Sequence, residues 1–306
     1  MPFCVIGQSR WINMYERILV PLDGSHTAEM ALPYAEEIAA KLGDEITLVS
    51  VSDSTATYID HLYHTYLECI MERVQRQLKD WGGKGEVKVQ SEVLLGKPAS
   101  EIIRYAAENN VGLIVMTSRG SSGFGPWLLG NIAAKVLRAA SRSVLLIKAP
   151  AKDAALRQKR LVKRILVPLD GSRVAEVAIP VVETLAHALG AEVVLFEVLE
   201  PVVGRVGAGG VAYIIPHDKE IKKVVMAYLD SVGKQLKEKG LNTSSVVVSG
   251  FPAEQIGDYA EANAIDLIAM SSRGQSGASR WVFGNVTDKT LHTGDTAVLV
   301  VQAPKP

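Results

Sequence analysis

Arg17-Ile-Leu-Val-Pro-Leu-Asp-Gly-Ser25 is repeated letter for letter as Arg164-Ile-Leu-Val-Pro-Leu-Asp-Gly-Ser172, 147 residues further on. The register persists, because Ala28-Glu29, Pro33 and Leu42-Gly43 are answered by Ala175-Glu176, Pro180 and Leu189-Gly190. Later the offset becomes 154: Gly96 and Pro98-Ala99 match Gly250 and Pro252-Ala253, and Ser118-Arg119-Gly120 matches Ser272-Arg273-Gly274. A period of this length lies far above the roughly 20–50 residues of stacked repeats, so it marks a duplicated domain. The extra residues of the second copy fall near Pro201–Pro216, where glycines at 204, 207, 209 and 210 predict a flexible loop.

The expected organisation is an N-terminal extension over 1–13, a first domain over 14–150, a basic linker over 151–163 and a second domain over 164–306. The first 13 residues have no counterpart in the second half. The 306-residue length, 48% of it hydrophobic, suits two cores of ordinary size. Lys plus Arg and Asp plus Glu are equal at 33 each, so no net field draws the chain to nucleic acid or an anionic membrane. A small ligand or a protein partner is expected instead. Cys4 and Cys69 are too few for a disulfide framework and suit a reducing compartment. There is no apolar run of the ~18 residues that a spanning helix needs, and the opening segment lacks the layout of an export signal, so the expected location is cytoplasmic.

Within the first copy, short apolar runs alternate with helix-period segments. Strands are expected over 17–22, 46–51, 87–94, 113–116 and 144–147, and helices over 28–42, 66–81, 99–108 and 132–140. Such alternation implies right-handed crossovers and a parallel sheet covered on both faces. The expected fold class is therefore α/β: two copies of a five-stranded, Rossmann-like α/β/α sandwich. Ligands of such sheets sit beyond the carboxyl ends of the strands, where strand order reverses. That places function just after Val20 and just after Met116.

Pro21-Leu22-Asp23-Gly24-Ser25 follows the first strand, and Thr117-Ser118-Arg119-Gly120-Ser121-Ser122-Gly123 follows the later one. Gly120, Gly123, Gly125 and Gly130 allow close backbone approach, so successive N–H groups can cradle an anion. A helix is expected to start near Asn131 with that residue as its N-cap, its dipole favouring phosphate. The alternative for Asp23 is a purely structural cap of the first helix, shared with Ser25; the glycines could likewise serve only turns and packing.

At these residues the chain resembles the universal stress proteins, whose ATP-binding members carry G-x2-G-x9-G-[S/T] after the fourth strand. Gly120 and Gly130 stand nine residues apart in that sense, as do Gly274 and Gly284. The first glycine of the pattern is replaced by Thr117 or Ser271, and the final hydroxyl residue by Asn131 or Asn285. The resemblance implies an ATP-binding stress-response protein and the Rossmann-like fold of adenine nucleotide α-hydrolases. It assigns Pro21, Asp23 and Val51 to the adenine and ribose side, with Met116 and Thr117 beside them. Arg119, Gly120, Gly123, Gly130, Asn131 and Ile132 would surround the phosphates. The matching second set is Pro168, Asp170, Val198, Met270, Ser271, Arg273, Gly274, Gly277, Gly284, Asn285 and Val286. Apart from the resemblance, slow and incidental ATP hydrolysis stays open as a further alternative, through Asp23 or Asp170 holding a hydrated Mg2+.

No nucleophile–base pair recurs between the copies, G-x4-G-K-[S/T] is absent, and no G-x-G-x-x-G follows the first strand, so a binding protein is expected rather than an enzyme. His61-x-x-His64 is expected in a variable surface loop, without a third metal ligand. Trp127 and Trp281 are read as packing or interface residues. The apolar strands 144–147 and 297–301 would be exposed edges unless paired, and the resemblance implies that they pair as an internal pseudo-dimer, with further homodimerisation open. The alternative function is a scaffold of the same fold with empty pockets that acts through a protein partner.

Overall fold

A computed structural model describes residues 16–53, 57–82, 85–120, 129–148, 161–206, 210–214, 219–274 and 284–303. The chain divides into two compact units, Met1–Leu161 with Ala297–Gln302, and Val162–Thr296 with Ala303–Pro306. The extension over 1–13 and the linker residues up to 160 lie outside the described residues.

The first unit runs β1 (Arg17–Pro21), α1 (His26–Glu29), α2 (Leu32–Leu42), β2 (Glu45–Ser52), α3 (Thr57–Trp81), β3 (Val89–Leu95), α4 (Pro98–Glu108), β4 (Leu113–Thr117), α5 (Asn131–Ala139) and β5 (Ser143–Ile147). Its strands lie in the order β5-β4-β1-β2-β3, all parallel. Ile18, Leu19 and Val20 of β1 and Leu113, Ile114 and Val115 of β4 are fully buried, as central strands covered on both faces must be. α2 packs on α3 and α4 packs on α5, giving the helical layers.

The second unit repeats this with β6 (Arg164–Pro168), a 3-10 turn (Ala175–Val177), α6 (Ala178–Leu189), β7 (Glu192–Leu199), β8 (Val202–Val206), β9 (Gly210–Ile214), α7 (Lys219–Glu238), β10 (Thr243–Ser249), α8 (Pro252–Ala262), β11 (Leu267–Ser271) and α9 (Asn285–Leu291). The strands β10-β7-β6-β11 are parallel. The chain's closing strand, β12 (Ala297–Val301), counts with the first unit, where it runs antiparallel to β5 with Val298 opposite Leu146 and Val300 opposite Val144. Order reverses between β1 and β4 in one unit and between β6 and β11 in the other, where the alternation of elements places a site.

Three local expectations are corrected. The helix expected over 28–42 is broken at Met30–Ala31, because Pro33 has no N–H to give an earlier turn and instead opens α2. α3 begins at Thr57 rather than Tyr66, so His61 and His64 lie on a helix and not in a loop. Leu62, Tyr63, Tyr66, Leu67 and Ile70 continue the helical spacing backwards, with no Gly or Pro to stop it. The glycine-rich insertion forms the antiparallel pair β8–β9, with Gly204 opposite Ala212. Val202, Val203, Val206, Val211 and Tyr213 have the β preference to outweigh the glycines.

Candidate functional site

At the end of β1 the chain turns on a short hydrogen-bonded relay. Asp23 Oδ1 accepts from the Ser25 amide at 3.0 Å and from the Ser25 hydroxyl at 2.5 Å, and Ser25 Oγ in turn accepts from the Ala28 amide at 3.1 Å. Ser25 is therefore the N-cap of α1, while Asp23 orders the turn in front of it. Gly24, at φ +81°, supplies the left-handed backbone this turn requires. The second copy repeats the device: Asp170 Oδ1 accepts from the Ser172 amide at 3.0 Å, Ser172 Oγ accepts from the Ala175 amide at 3.1 Å, and Gly171 has φ +74°.

The later loop closes against this turn. A Cβ on Gly120 would overlap Asp23 Oδ2, and one on Gly274 would lie 2.5 Å from Asp170 Oδ2. Glycine is thus required at both positions by close approach to a carboxylate. The far end of the loop is pinned as well, since Gly130 N–H donates to Ser118 O at 2.7 Å and Gly284 N–H to Ser272 O at 3.0 Å. The N-cap expected at Asn131 is corrected to Gly130. Gly130 O accepts the first helical bond from Ala134 N–H, so Asn131 is already inside α5; Gly284 and Asn285 stand in the same relation in α9.

In the first unit Pro21, Val51, Met116 and Thr117 lie at or near the carboxyl ends of β1, β2 and β4. Arg119 adjoins Gly120, and Gly130, Asn131 and Ile132 open α5. The Thr117 hydroxyl donates to Arg119 O at 2.5 Å, so it is engaged by the loop's own backbone. Gly123, Gly125, Trp127, Gly277 and Trp281 lie outside the described residues.

In the second unit Pro168, Asp170, Val198, Met270, Ser271, Arg273, Gly274, Gly284, Asn285 and Val286 all line one cavity of about 510 Å3. This is within the ~300–1,000 Å3 of small-molecule sites. Leu169, Phe196, Pro252, Ile256 and Thr287 add apolar and small side chains to its wall. Arg273 is the cationic residue among the described residues that line it, and its guanidinium also donates to Ala303 O at 3.3 Å.

Glu197 and Glu200 also line this cavity and were not expected there. Burial, with the Asp170 charge adding to it, pushes the Glu197 carboxyl up to about 7. Its Oε2 is buried with no hydrogen-bond partner among the described residues. Nearby, Tyr228 of α7 donates to Glu176 Oε1 at 2.9 Å, and burial together with Glu176, Glu197 and Asp170 raises its hydroxyl above the usual tyrosine range. The 147-residue offset carried a signal for Glu197: it aligns with Ser50 and is a lone charge inside the otherwise apolar run Val193–Leu199. No group of three metal-ligating side chains occurs among the described residues.

Two sets of parallel strands, each with an aspartate-anchored turn set against a glycine and a helix start at the point of strand reversal, define an α/β protein of the Rossmann-like class. The sequence profile of the Universal stress protein family matches residues 14–148 and again 162–302. The chain belongs to that family, as a tandem member. It is 30% identical over 151 residues to universal stress protein MJ0531 of Methanocaldococcus jannaschii, covering 46% of this chain and 86% of that protein. A full-length match is universal stress protein Mb2028c of Mycobacterium bovis, 23% identical over 295 residues, covering 93% of this chain and 96% of that one. In fold it is similar to a universal stress protein from Archaeoglobus fulgidus at a TM-score of 0.67 and 23% identity, covering 94% of this chain and 98% of the other.

Proposed function

We propose that this chain binds an adenine nucleotide, ATP in the first instance, at the carboxyl ends of its parallel strands, and acts as a ligand-responsive regulator in a stress response rather than as an enzyme. The observation that carries this reading is the second-unit cavity of about 510 Å3, which is lined by ten of the positions that the family resemblance assigns to the nucleotide. Its apolar side, with Pro168, Val198 and Met270, suits a base, and its glycine loop and helix start offer backbone N–H groups to phosphate. Arg273 supplies planar paired donors of the kind phosphate oxygens accept. Asp170 has the hard oxygen chemistry that a hydrated Mg2+ takes.

Regulation follows by linkage: a ligand that binds one state of the chain more tightly than another shifts that equilibrium and alters the surface presented to a protein partner. Binding of labelled ATP is measured for the wild type and for a Gly120→Val, Gly274→Val chain. Saturable binding lost in the double variant is expected. Equal, negligible binding by both refutes the nucleotide reading and leaves a scaffold that works by protein contacts. Turnover of ATP on the order of 1 per second or faster would overturn the non-enzymatic part.

A further inference from the structure

The outer strands of the two units are built differently. β3 is the outer strand of the first unit and β10 of the second, and among the described residues each has one strand neighbour, β2 and β7 respectively. Such a strand presents unpaired N–H and C=O groups along one side, and charged side chains are a common guard against pairing there with another chain. The 154-residue offset sets the two edges in register. Lys88, Glu92 and Lys97, all exposed, lie along the first edge, and Asn242, Val246 and Phe251 take their places along the second. On the first edge Lys88 pairs with Glu45 at 2.8 Å, and Tyr105 hydrogen-bonds to Glu92. On the second, Tyr259 stands where Tyr105 does and stacks on Phe196 instead, with ring centroids 4.8 Å apart.

β10, with the sequence TSSVVVS, has no charge, proline or glycine, and it pairs with β7 residue for residue from Thr243 opposite Val193 to Ser249 opposite Leu199. Val193 N–H donates to Asn242 O at 2.9 Å and Gly250 N–H to Leu199 O at 3.1 Å. The alternation of a strand then turns the backbone groups of residues 244, 246 and 248 towards β7 as well, and leaves those of Thr243, Ser245, Val247 and Ser249 directed to the open side. The Thr243 hydroxyl donates to Gly233 O of α7 at 3.2 Å, so Thr243, Ser245 and Val247 face that helix. Val246 and Val248 face the other way and are half-buried, and Phe251, just past the strand, is 47% exposed.

We propose that β10 is a dimerisation edge, at which two copies of this chain pair antiparallel about a two-fold axis through Val246. A two-fold contact sets a residue against itself, so a charge at its centre is repelled; Val246 meets Val246 without that cost, whereas Glu92 would meet Glu92. Centring on Val246 engages all of Thr243–Ser249. It also matches the backbone directions: Ser245 opposite Val247 and Thr243 opposite Ser249 exchange ladder bonds, and the Val246 pair is of the non-hydrogen-bonded kind, with Cα atoms about 4.5 Å apart. A second copy is thus a partner whose strand has the length, the neutrality and the hydrogen-bonding phase that this edge requires. With Glu92 and its flanking lysines guarding β3, the assembly closes at two copies. Pairing at β10 does not depend on whether either unit holds a nucleotide.

Sedimentation of the full chain, without nucleotide, is expected to show a dimer. Val246→Glu gives the second edge the charge of the first, and is expected to raise the dissociation constant about a hundredfold. Geometry is read separately in a Cys4→Ser, Cys69→Ser chain: Val246→Cys is expected to form a covalent dimer on mild oxidation, because that residue faces its own copy within disulfide reach, and Glu92→Cys is not. A monomeric wild type overturns the proposal. So does a dimer that keeps its affinity in Val246→Glu, an absence of cross-linking in Val246→Cys, or equal cross-linking in Glu92→Cys. Should circular dichroism show that Val246→Glu fails to fold, the wild-type sedimentation and the two cysteine chains decide.

Discussion

Gly274→Ala is the smallest change that probes the contact between the glycine loop and the aspartate turn. The backbone at Gly274 is not left-handed, so alanine brings no conformational strain of its own; the whole effect comes from its Cβ, which would lie 2.5 Å from Asp170 Oδ2. Real contacts at that position need a separation nearer 3.4 Å, so the carboxylate must swing away by most of an ångström. Doing so strains its bond from the Ser172 amide, now 3.0 Å, and moves the side chain off its preferred rotamer. A lost hydrogen bond and an off-rotamer side chain each cost about 1 kcal/mol, so the second unit should lose about 2 kcal/mol. Hydrogen exchange of the β6 amides, read on a peptide covering 164–172, reports that unit separately from the other. Protection should fall about thirtyfold. Asp170→Ala alone should cost about 1 kcal/mol, and in that background Gly274→Ala should cost almost nothing, because the atom it collides with is gone. Strictly additive costs for the two substitutions would refute the reasoning, since they would mean that the loop's glycine is needed for something other than room for the carboxylate.

Asp44 is buried, its Oδ2 is unpartnered, and burial first and the Glu16 charge second push its carboxyl up to about 7. A carboxyl raised on folding stabilises fully at pH values below its unfolded value near 4, and that contribution declines as pH rises towards 7. Asp44→Asn should therefore flatten urea midpoints of the first unit over pH 5–8 and leave it more stable at pH 8 by on the order of 1–2 kcal/mol, allowing for solvent screening. Leu19→Ala in β1, fully buried, should cost about 3 kcal/mol by the same measurement. Tyr228→Phe should destabilise its unit more than Tyr66→Phe destabilises the other, as measured by exchange: Glu29 loses Tyr66 but keeps Arg73 at 2.6 Å, whereas Glu176 loses the donor at 2.9 Å.

The sheet was legible because its strands obey one rule each. Ile18-Leu19-Val20 and Leu113-Ile114-Val115 are uniformly apolar, and both are buried from either side. The alternation of strand and helix then leaves little freedom in the connections. Helix starts were harder, since they depend on single backbone groups. Pro33 reads in sequence as tolerable inside a longer helix, yet its missing N–H makes it an opening residue. Asn131 has the better capping side chain, yet the extended residue is Gly130, because the loop must pinch back to Ser118 O and a Cβ there would come within 3.0 Å of that oxygen. The β8–β9 pair is hidden by its glycines, and the valines between them carry the strand preference.

At the site, identity between the copies was the useful signal and also the misleading one. Asp23 with Gly120 and Asp170 with Gly274 were found because both copies keep them, and the close approach of glycine to carboxylate explains why no other pairing of sizes would serve. Glu197 escaped because a comparison for sameness passes over the place where the copies part. Its strand, EVVLFEVL, hides five buried residues around a half-buried carboxyl, and periodicity treats that charge as a strand-end accident. Its Oε2 is buried with no hydrogen-bond partner among the described residues, a placement that costs free energy. A duplicated domain that needed two equal sites would have no reason to bear that cost in one copy and to place a satisfied serine in the other. Ser50 and Glu197 are therefore the position at which the two copies part on equivalent strands, a difference that only the mismatches between copies reveal.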